Sequence, residues 1–214
     1  MPYPLFPLFI RLDGRICLVV GGGKVAGRKV DSLLEAGAAI TVVSPEATAR
    51  IQRLASQGRI TWLQKIFSPD DLNGSFLVIA ATGDAAVNGH VAAACRSQAI
   101  LINVVDEPGL CDFFLPAVLR RGALSIAIAT EGKSPLLARK LRTELEQVIT
   151  APYGEFLELL GQQRELIKKT VPDRARREAI FRSLVDSDIF DLIVAGKQDE
   201  AQERIRTCIS SQQD

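Results

Sequence analysis

The stretch Cys17–Gly27, with the sequence CLVVGGGKVAG, is the most informative part of this chain for predicting its fold. It begins in the apolar run Ile16–Val20, which is typical of a buried strand, and it leads directly into a helical pattern. Gly21 permits a tight turn, Gly23 lets the backbone approach a ligand, and the small Ala26 allows close packing of helix on strand. The stretch therefore predicts the glycine-rich turn of a dinucleotide-binding β-α-β unit.

The turn also predicts which part of the ligand it holds. Free N–H groups and the helix dipole favour negative charge at the start of a helix, so we expect a pyrophosphate there. The predicted cofactor-binding residues of the turn are Gly21, Gly22, Gly23, Lys24 and Val25. The alternative is a glycine turn that binds no ligand.

The end of the second predicted strand bears on which dinucleotide binds. In NAD-binding versions of this unit, an acidic residue about 20 positions further on binds the ribose. Here Ser44 and Pro45 stand near that point, and Glu46 is the nearest acid. Glu46 could instead favour the amino end of the next helix through its dipole. Because no arginine cluster is present for a 2′-phosphate, we predict NAD rather than NADP.

The first half of the chain alternates short apolar runs with helical stretches. Besides the first strand, strands are predicted at Ile40–Val43, Ile60–Leu63, Phe76–Ala81 and Ile100–Val105, and helices at Val25–Ala36, Glu46–Ser56 and Asp84–Arg96. This rhythm predicts an α/β fold, a Rossmann-type doubly wound parallel sheet with helices on both faces.

The pattern changes after the last of these strands. Runs at Phe113–Leu119 and Leu124–Ala129 predict a hairpin rather than another crossover. Ser134 and Pro135 then suit the N-cap and first position of a helix, predicted to extend over about 14 residues. From Pro152 onward only helices are predicted.

Composition excludes several classes of partner. Lysine and arginine number 26 against 25 acidic residues, so no overall charge would attract nucleic acid or an anionic membrane. We find no secretory signal, and no run approaches the roughly 20 apolar residues that span a bilayer. Four widely spaced cysteines and a single histidine, His90, favour reduced core thiols, a cytoplasmic location and no resident metal.

Polar residues follow the strands at the edge of the sheet where ligands collect. Asp106 follows one strand, where it could act as a general base or cap the next turn. Thr82 and Gly83 follow another, where they could line a cofactor or begin a helix. Asn103 could bind cofactor or substrate, or satisfy only local backbone.

Several motifs occur together in this chain. They are Val20-Gly21-Gly22-Gly23, Val25-Ala26, Arg28-Lys29, Ile79-Ala80-Ala81-Thr82, Asn103-Val104-Val105-Asp106, Phe113 with Pro116, and Ser134-Pro135-Leu136-Leu137-Ala138-Arg139. Together they make the stretch from Pro7 through Arg142 resemble the precorrin-2 dehydrogenase family. That family includes the amino-terminal part of siroheme synthase and the yeast bifunctional dehydrogenase–ferrochelatase.

The resemblance implies NAD-dependent oxidation of precorrin-2 to sirohydrochlorin by a homodimer. It makes Asp106 the residue associated with catalysis, either as general base or as the group that orients the macrocycle nitrogens. It also implies three parts: an NAD-binding Rossmann domain over 1–115, a small α+β dimerisation segment over 116–150, and a helical domain over 151–214. Some relatives insert ferrous iron into the product as well. Thr130 stands where the siroheme synthase version has a serine that can be phosphorylated.

A tetrapyrrole of this kind is a polycarboxylate, so local donors must bind it in a chain of near-neutral charge. The predicted substrate-binding residues are Thr130, Ser134, Arg139 and Arg142. Lys133 and Arg120-Arg121 are further cations in the same region. Such side chains could instead be ordinary solvated surface.

Two other functions stay open from the sequence. A dinucleotide-sensing module that catalyses nothing would share the glycine turn. A dedicated chelatase would share the fold without the oxidation. A spectral change of the tetrapyrrole in the presence of NAD would separate the three.

Overall fold

A computed structural model describes residues 4–211 of the chain, so the first and last three residues of the predicted terminal domains lie outside the described part. The chain divides into two compact units that meet at the Leu115–Pro116 peptide. Compactness does not assign a function to a part, so the division at 115/116 and 150/151 remains a prediction.

Five strands and three helices form the body of the first unit. The strands are β1 (Ile16–Val20), β2 (Ala39–Val43), β3 (Thr61–Leu63), β4 (Leu77–Ala80) and β5 (Leu101–Val104), and the helices are α1 (Lys24–Glu35), α2 (Ala49–Ser56) and α3 (Ala85–Ser97). All neighbouring strands are parallel, in the order β3-β2-β1-β4-β5. The predicted Rossmann-type sheet is therefore confirmed.

The central strand β1 divides its side chains between two hydrophobic cores, one on each face of the sheet. Cys17 and Val19 belong to the core that α1 and α2 cover, and Leu18 and Val20 belong to the core that α3 covers. Because both faces of the strand are buried, its sequence is continuously apolar rather than alternating.

Most predicted bounds differ from the observed ones by one residue, and two differ by more, each for a local reason. Helix α2 begins at Ala49 rather than Glu46, because the Thr48 N–H donates to Gly22 O at 2.9 Å and holds the preceding residues against the glycine turn. The first strand of the hairpin begins at Ala117 rather than Phe113, because the residues before Pro116 run beside β5 instead.

The second unit consists of a two-stranded hairpin and five helices. They are β6 (Ala117–Arg121), β7 (Leu124–Ile128), α4 (Pro135–Val148), α5 (Pro152–Thr170), α6 (Arg174–Asp186), α7 (Ile189–Val194) and α8 (Gln198–Ser210). The antiparallel hairpin and the helical character from Pro152 through Ser210 confirm the predictions. Ser134 caps α4 as expected, with its Oγ accepting from the Leu137 N–H at 3.2 Å.

The four helices α5 to α8 enclose a core of their own. Its fully or largely buried members are Ile167, Val171, Ile180, Leu184, Ile189, Ile193, Ala201, Ile205 and Cys208. Leu166, next to the buried Ile167 in α5, is 52% exposed. Within the described residues, no helix is long and apolar enough to cross a membrane.

Candidate active site

The glycine-rich turn between β1 and α1 is closed on one side and open on the other. A Cβ on Gly21 would lie 2.5 Å from Ala81 O, and one on Gly22 would lie 2.0 Å from Glu46 O. A Cβ on Gly23 would meet nothing within 4 Å. Gly21 and Gly22 are thus required by the fold, whereas Gly23 leaves open space beside the first N–H groups of α1. Open backbone at the start of a helix is what the approach of a pyrophosphate requires.

This turn lies at the topological switch point of the sheet. Strand β1 pairs with β2 on one side and with β4 on the other. The sheet therefore grows outward from β1 in opposite directions, first through β2 and β3 and then through β4 and β5. Gly21 lies between the ends of both neighbours, because its N–H donates to Val43 O at 2.9 Å and a Cβ added to it would lie 2.5 Å from Ala81 O. The crevice that such a switch point forms is where dinucleotides bind in open α/β sheets.

Ser44 and Glu46 lie next to this turn but differ in exposure. Ser44 is 5% exposed, and its Oγ accepts from the Trp62 indole Nε1–H at 3.1 Å, so it packs beneath Gly22. Glu46 is exposed and lies before the N-cap Thr48, outside the first turn of α2. An effect of Glu46 on the amino end of α2 through the helix dipole therefore stays the alternative to a cofactor contact. Contacts of Ser44, Pro45 and Glu46 with a cofactor remain predictions.

Thr82, Gly83 and Asp84 form the turn between β4 and α3. The Thr82 hydroxyl donates to Asn88 Oδ1 at 2.7 Å, and Asp84 Oδ1 accepts from the Ala86 N–H at 2.8 Å. Asp84 is therefore the N-cap of α3. Asn88 is buried, and the helical pattern gave no sign of its role. Gly83 stays exposed, and a cofactor contact of Thr82 or Gly83 remains a prediction.

The Asp84 cap predicts a measurable effect on stability. Replacing Asp84 by alanine should lower the free energy of unfolding of the first unit by about 0.5 to 2 kcal/mol, because the α3 cap is lost. Asp84→Asn, which keeps an acceptor, should stay close to wild type. Urea unfolding followed by the fluorescence of Trp62, the one tryptophan, measures this. An alanine variant as stable as the asparagine variant would show that the cap has no effect.

Asp106 is held in a conformation that is uncommon for residues with a side chain. It follows β5 with φ at +62°. The turn after it closes through backbone groups, with the Leu110 N–H donating to Glu107 O at 3.0 Å. No hydrogen bond joins the Asp106 side chain to another residue within 4–211, so the carboxylate is not consumed as a cap. Strained backbone of this kind is frequent at functional sites.

Asn103 is buried in β5, and its Nδ2 donates to Phe113 O at 2.9 Å. This bond fastens the segment after the turn to the edge of the sheet. Of the two alternatives for Asn103, the local backbone role is present in the structure. A contact with cofactor or substrate remains a prediction.

Lys29 on α1 is a candidate site residue to which the sequence assigned no role. Burial, and next the charge of Arg28, lowers the pKa of Lys29, while the nearby Asp106 and Cys111 oppose that shift. The ammonium group therefore lies within electrostatic reach of Asp106. Its place in the Arg28-Lys29 motif was visible in the sequence, but proximity to a residue 77 positions away was not.

The predicted substrate-binding residues all lie on the second unit. Thr130 Oγ1 accepts from the Ser134 N–H at 3.2 Å, so the two residues together build the start of α4. Arg142 is paired with Glu146 one turn along the helix, whereas Arg139 is exposed. Contacts of these residues with a substrate remain predictions.

Arg121, one of the further cations in this region, has a structural role instead. Its Nε donates to Ile149 O at 2.8 Å, which caps the carboxyl end of α4.

The cysteines and the histidine are the remaining reactive groups. Cys17, Cys95 and Cys208 are buried free thiols, as predicted, but Cys111 is only half-buried and lies at the Asp106 turn. The ring of His90 packs edge-on against the ring of Phe67, with 5.9 Å between the ring centroids. Across the described residues, no three or more His, Cys, Asp or Glu side chains are grouped so that they could hold a metal ion.

The parallel sheet, its switch point and the open glycine turn define a dinucleotide-binding Rossmann domain. Residues 8–117 match the family model described as putative NAD(P)-binding, residues 121–147 the sirohaem biosynthesis protein central model, and residues 152–209 the sirohaem synthase dimerisation region. Among solved structures, SirC, precorrin-2 dehydrogenase, is 31% identical with a TM-score of 0.78, and the match covers 95% of this chain and 100% of that one. The chain belongs to the precorrin-2 dehydrogenase family.

Curated relatives are longer proteins. The siroheme synthase of Methylococcus capsulatus is 41% identical over 196 residues, which are 92% of this chain and 41% of the relative. The siroheme synthase of Thioalkalivibrio sulfidiphilus is 39% identical over 206 residues, which are 96% of this chain and 42% of the relative. The chain thus spans about two fifths of the length of these relatives.

Proposed function

We propose that this chain catalyses the NAD-dependent dehydrogenation of precorrin-2 to sirohydrochlorin in siroheme biosynthesis. The observation that carries the proposal is the position of Asp106, whose carboxylate follows β5 at the same carboxyl edge of the sheet as the open turn at Gly23. Membership in the precorrin-2 dehydrogenase family supports the choice of substrate. A dinucleotide-sensing module would need no carboxylate at this edge.

The reaction removes one hydride and one proton from the reduced macrocycle. NAD, when bound, supplies the hydride acceptor. The first N–H groups of α1, beside Gly23, bind the pyrophosphate. Asp106 accepts the proton at a carboxylate oxygen, and the ammonium group of Lys29 lies within electrostatic reach of that carboxylate.

NAD is favoured over NADP by the residues around α2. Glu46 is exposed beside the turn, where it can accept hydrogen bonds from a ribose. Arg50, the first arginine of α2, is held by Asp31 in a paired contact with N–O distances of 3.0 and 2.6 Å. It is therefore engaged rather than free to bind a 2′-phosphate.

The experiment that tests this function mixes the protein with anaerobically prepared precorrin-2 and NAD, and follows absorbance of the macrocycle. Reactions with NADP and with no cofactor serve as controls. Oxidation that depends on NAD supports the proposal. Dinucleotide binding without oxidation would instead favour the sensing module. Adding ferrous iron to the product then tests iron insertion, which remains a prediction from the resemblance.

A homodimer and a cytoplasmic location are part of the proposal. The match to a sirohaem synthase dimerisation region supports the dimer. Helix α4 carries an exposed apolar stripe that suits such a contact, with Leu137 48%, Leu141 37% and Val148 65% exposed. We therefore propose that α4, in the predicted dimerisation segment, contributes to the subunit interface.

The α4 interface predicts a change in oligomeric state. The double variant Leu137→Glu/Leu141→Glu should be monomeric at concentrations where the wild type is a dimer, because the new carboxylates would be buried in the symmetric contact. Light scattering after gel filtration measures the mass. Ile66→Glu, at an apolar position of the first unit that is 75% exposed and lies outside the matched dimerisation region, is the control and should remain dimeric. A double variant with the wild-type mass would remove α4 from the interface.

A further inference from the structure

Strand β5 is an edge strand, so half of its backbone N–H groups have no neighbouring strand. The segment just after the Asp106 turn provides the missing partners with its side chains. The Ile102 N–H donates to Asp112 Oδ2 at 3.1 Å, and the Val104 N–H donates to Cys111 Sγ at 3.2 Å. The end of β5 that leads into Asp106 is therefore fixed by a thiol.

The same thiol also contacts the other side of the turn. Cys111 Sγ lies 3.2 Å from Val104 O and 3.4 Å from Glu107 O, so its single S–H proton faces two carbonyls. Burial raises the pKa of the Cys111 thiol, which keeps that proton in place at neutral pH. Residues on both flanks of Asp106 are thus connected through one sulfur atom.

The turn needs such support because Asp106 itself is strained. Aspartate tolerates this left-handed backbone better than most residues, but a φ of +62° still costs free energy that contacts around the turn must offset. Asn103 Nδ2 fastens the segment that carries Cys111, because it donates to Phe113 O at 2.9 Å and lies 3.5 Å from Cys111 Sγ, but it does not reach the backbone on either side of Asp106. Release of the sulfur contacts would let the turn relax and move the carboxylate.

We propose that Cys111 is a positioning residue for the reaction: it clamps the turn from Val104 to Glu107 and so fixes where the Asp106 carboxylate is presented. The inference rests on the proposed dehydrogenase function, in which Asp106 accepts the proton. Cys111 does not touch the reacting atoms, so its removal should leave NAD binding intact.

The variant Cys111→Ala tests the clamp by turnover and by backbone protection. Its kcat should fall about 10- to 100-fold, since small misplacement of a catalytic group has effects of that size. Its dissociation constant for NAD should stay within about twofold. The Val104 amide should exchange with solvent about tenfold faster, while the Ile102 amide, held by Asp112, should not change.

Two further variants separate positioning from general destabilisation. Cys95→Ala removes a fully buried thiol from the core beneath α3, and it should lose stability but keep kcat. Cys111→Ser, which can still accept and donate, should recover part of the lost kcat, and it carries the test if the alanine variant does not fold. A Cys111→Ala enzyme with wild-type kcat, or with kcat and NAD affinity lowered together, would overturn the inference.

These measurements distinguish an incorrect assignment of the dehydrogenase function from an incorrect assignment of the role of Cys111. If the unmodified chain does not oxidise precorrin-2, the dehydrogenase proposal fails for every variant alike. The exchange rates of the Val104 and Ile102 amides then still decide whether Cys111 holds the turn. Unchanged exchange at Val104 in Cys111→Ala would overturn the clamp.

Discussion

Replacing Asp106 by asparagine is expected to lower kcat for precorrin-2 oxidation by roughly 10²- to 10⁴-fold, the usual contribution of a general base. Asparagine has the same shape and also tolerates the left-handed backbone at this position, so the turn should survive. What is lost is the ability to accept a proton. The dissociation constant for NAD should therefore stay close to that of the wild type.

Initial rates with saturating NAD, together with titration of NAD binding, measure both quantities. Asp70→Asn is a matched control, because Asp70 is an exposed carboxylate of the same unit away from the glycine turn and β5. It should retain wild-type turnover. An Asp106→Asn enzyme that retains turnover and folds normally would remove Asp106 from the reaction.

The second large effect is expected at Gly22. An alanine Cβ there would lie 2.0 Å from Glu46 O and 2.6 Å from Ser44 Oγ, and the first of these atoms is backbone that cannot rotate away. Overpacking of this kind typically costs about 1 to 3 kcal/mol, and more where backbone must shift. Gly22→Ala should therefore destabilise the first unit and lose NAD binding as a consequence.

Gly23→Ala is the matched control at the neighbouring position. Its Cβ would enter open space, and its φ of −78° suits alanine, so stability should change by less than about 1 kcal/mol. NAD binding should nevertheless weaken, because the methyl group fills the path by which the pyrophosphate approaches the backbone. Urea unfolding monitored by Trp62 and NAD titration separate the two effects. Equal stability of the two variants would contradict the packing described for Gly22.

The fold of the first unit could be predicted because its strands, turns and helix starts are each indicated by residues that are close together in the sequence. The apolar run Ile16–Val20 matches β1 residue for residue, and the glycine turn directly after it marks the start of α1. The predicted N-cap at Ser134 was also a local signal, and it is confirmed. Such features depend only on residues that are neighbours in the sequence, so the sequence is enough to predict them.

The parts that could not be predicted depend on contacts between distant residues. Lys29 and Asp106 come together only because α1 packs on the sheet that ends at Asp106. Ser44 was predicted as a cofactor residue, yet its burial under Gly22 depends on Trp62, 18 positions later. Helix α2 begins late because of a hydrogen bond to the glycine turn.

The site residues around Asp106 show the same limit. The sequence indicated that Asp106 follows a strand, and that placement is confirmed. Nothing in the sequence pattern connected Cys111 with the edge of β5, since a half-buried cysteine in a loop has no periodic signature. Only the backbone path after the turn brings the thiol to Val104.

The dehydrogenase function is tested best by the stoichiometry of a single anaerobic reaction. Purified protein is mixed with precorrin-2 and excess NAD, and both NADH and the oxidised macrocycle are quantified to completion. We predict that one NADH forms for each sirohydrochlorin and that neither forms without the protein. Protein that is folded and binds NAD, but forms no NADH with precorrin-2, would contradict the dehydrogenase function and with it the role of Asp106.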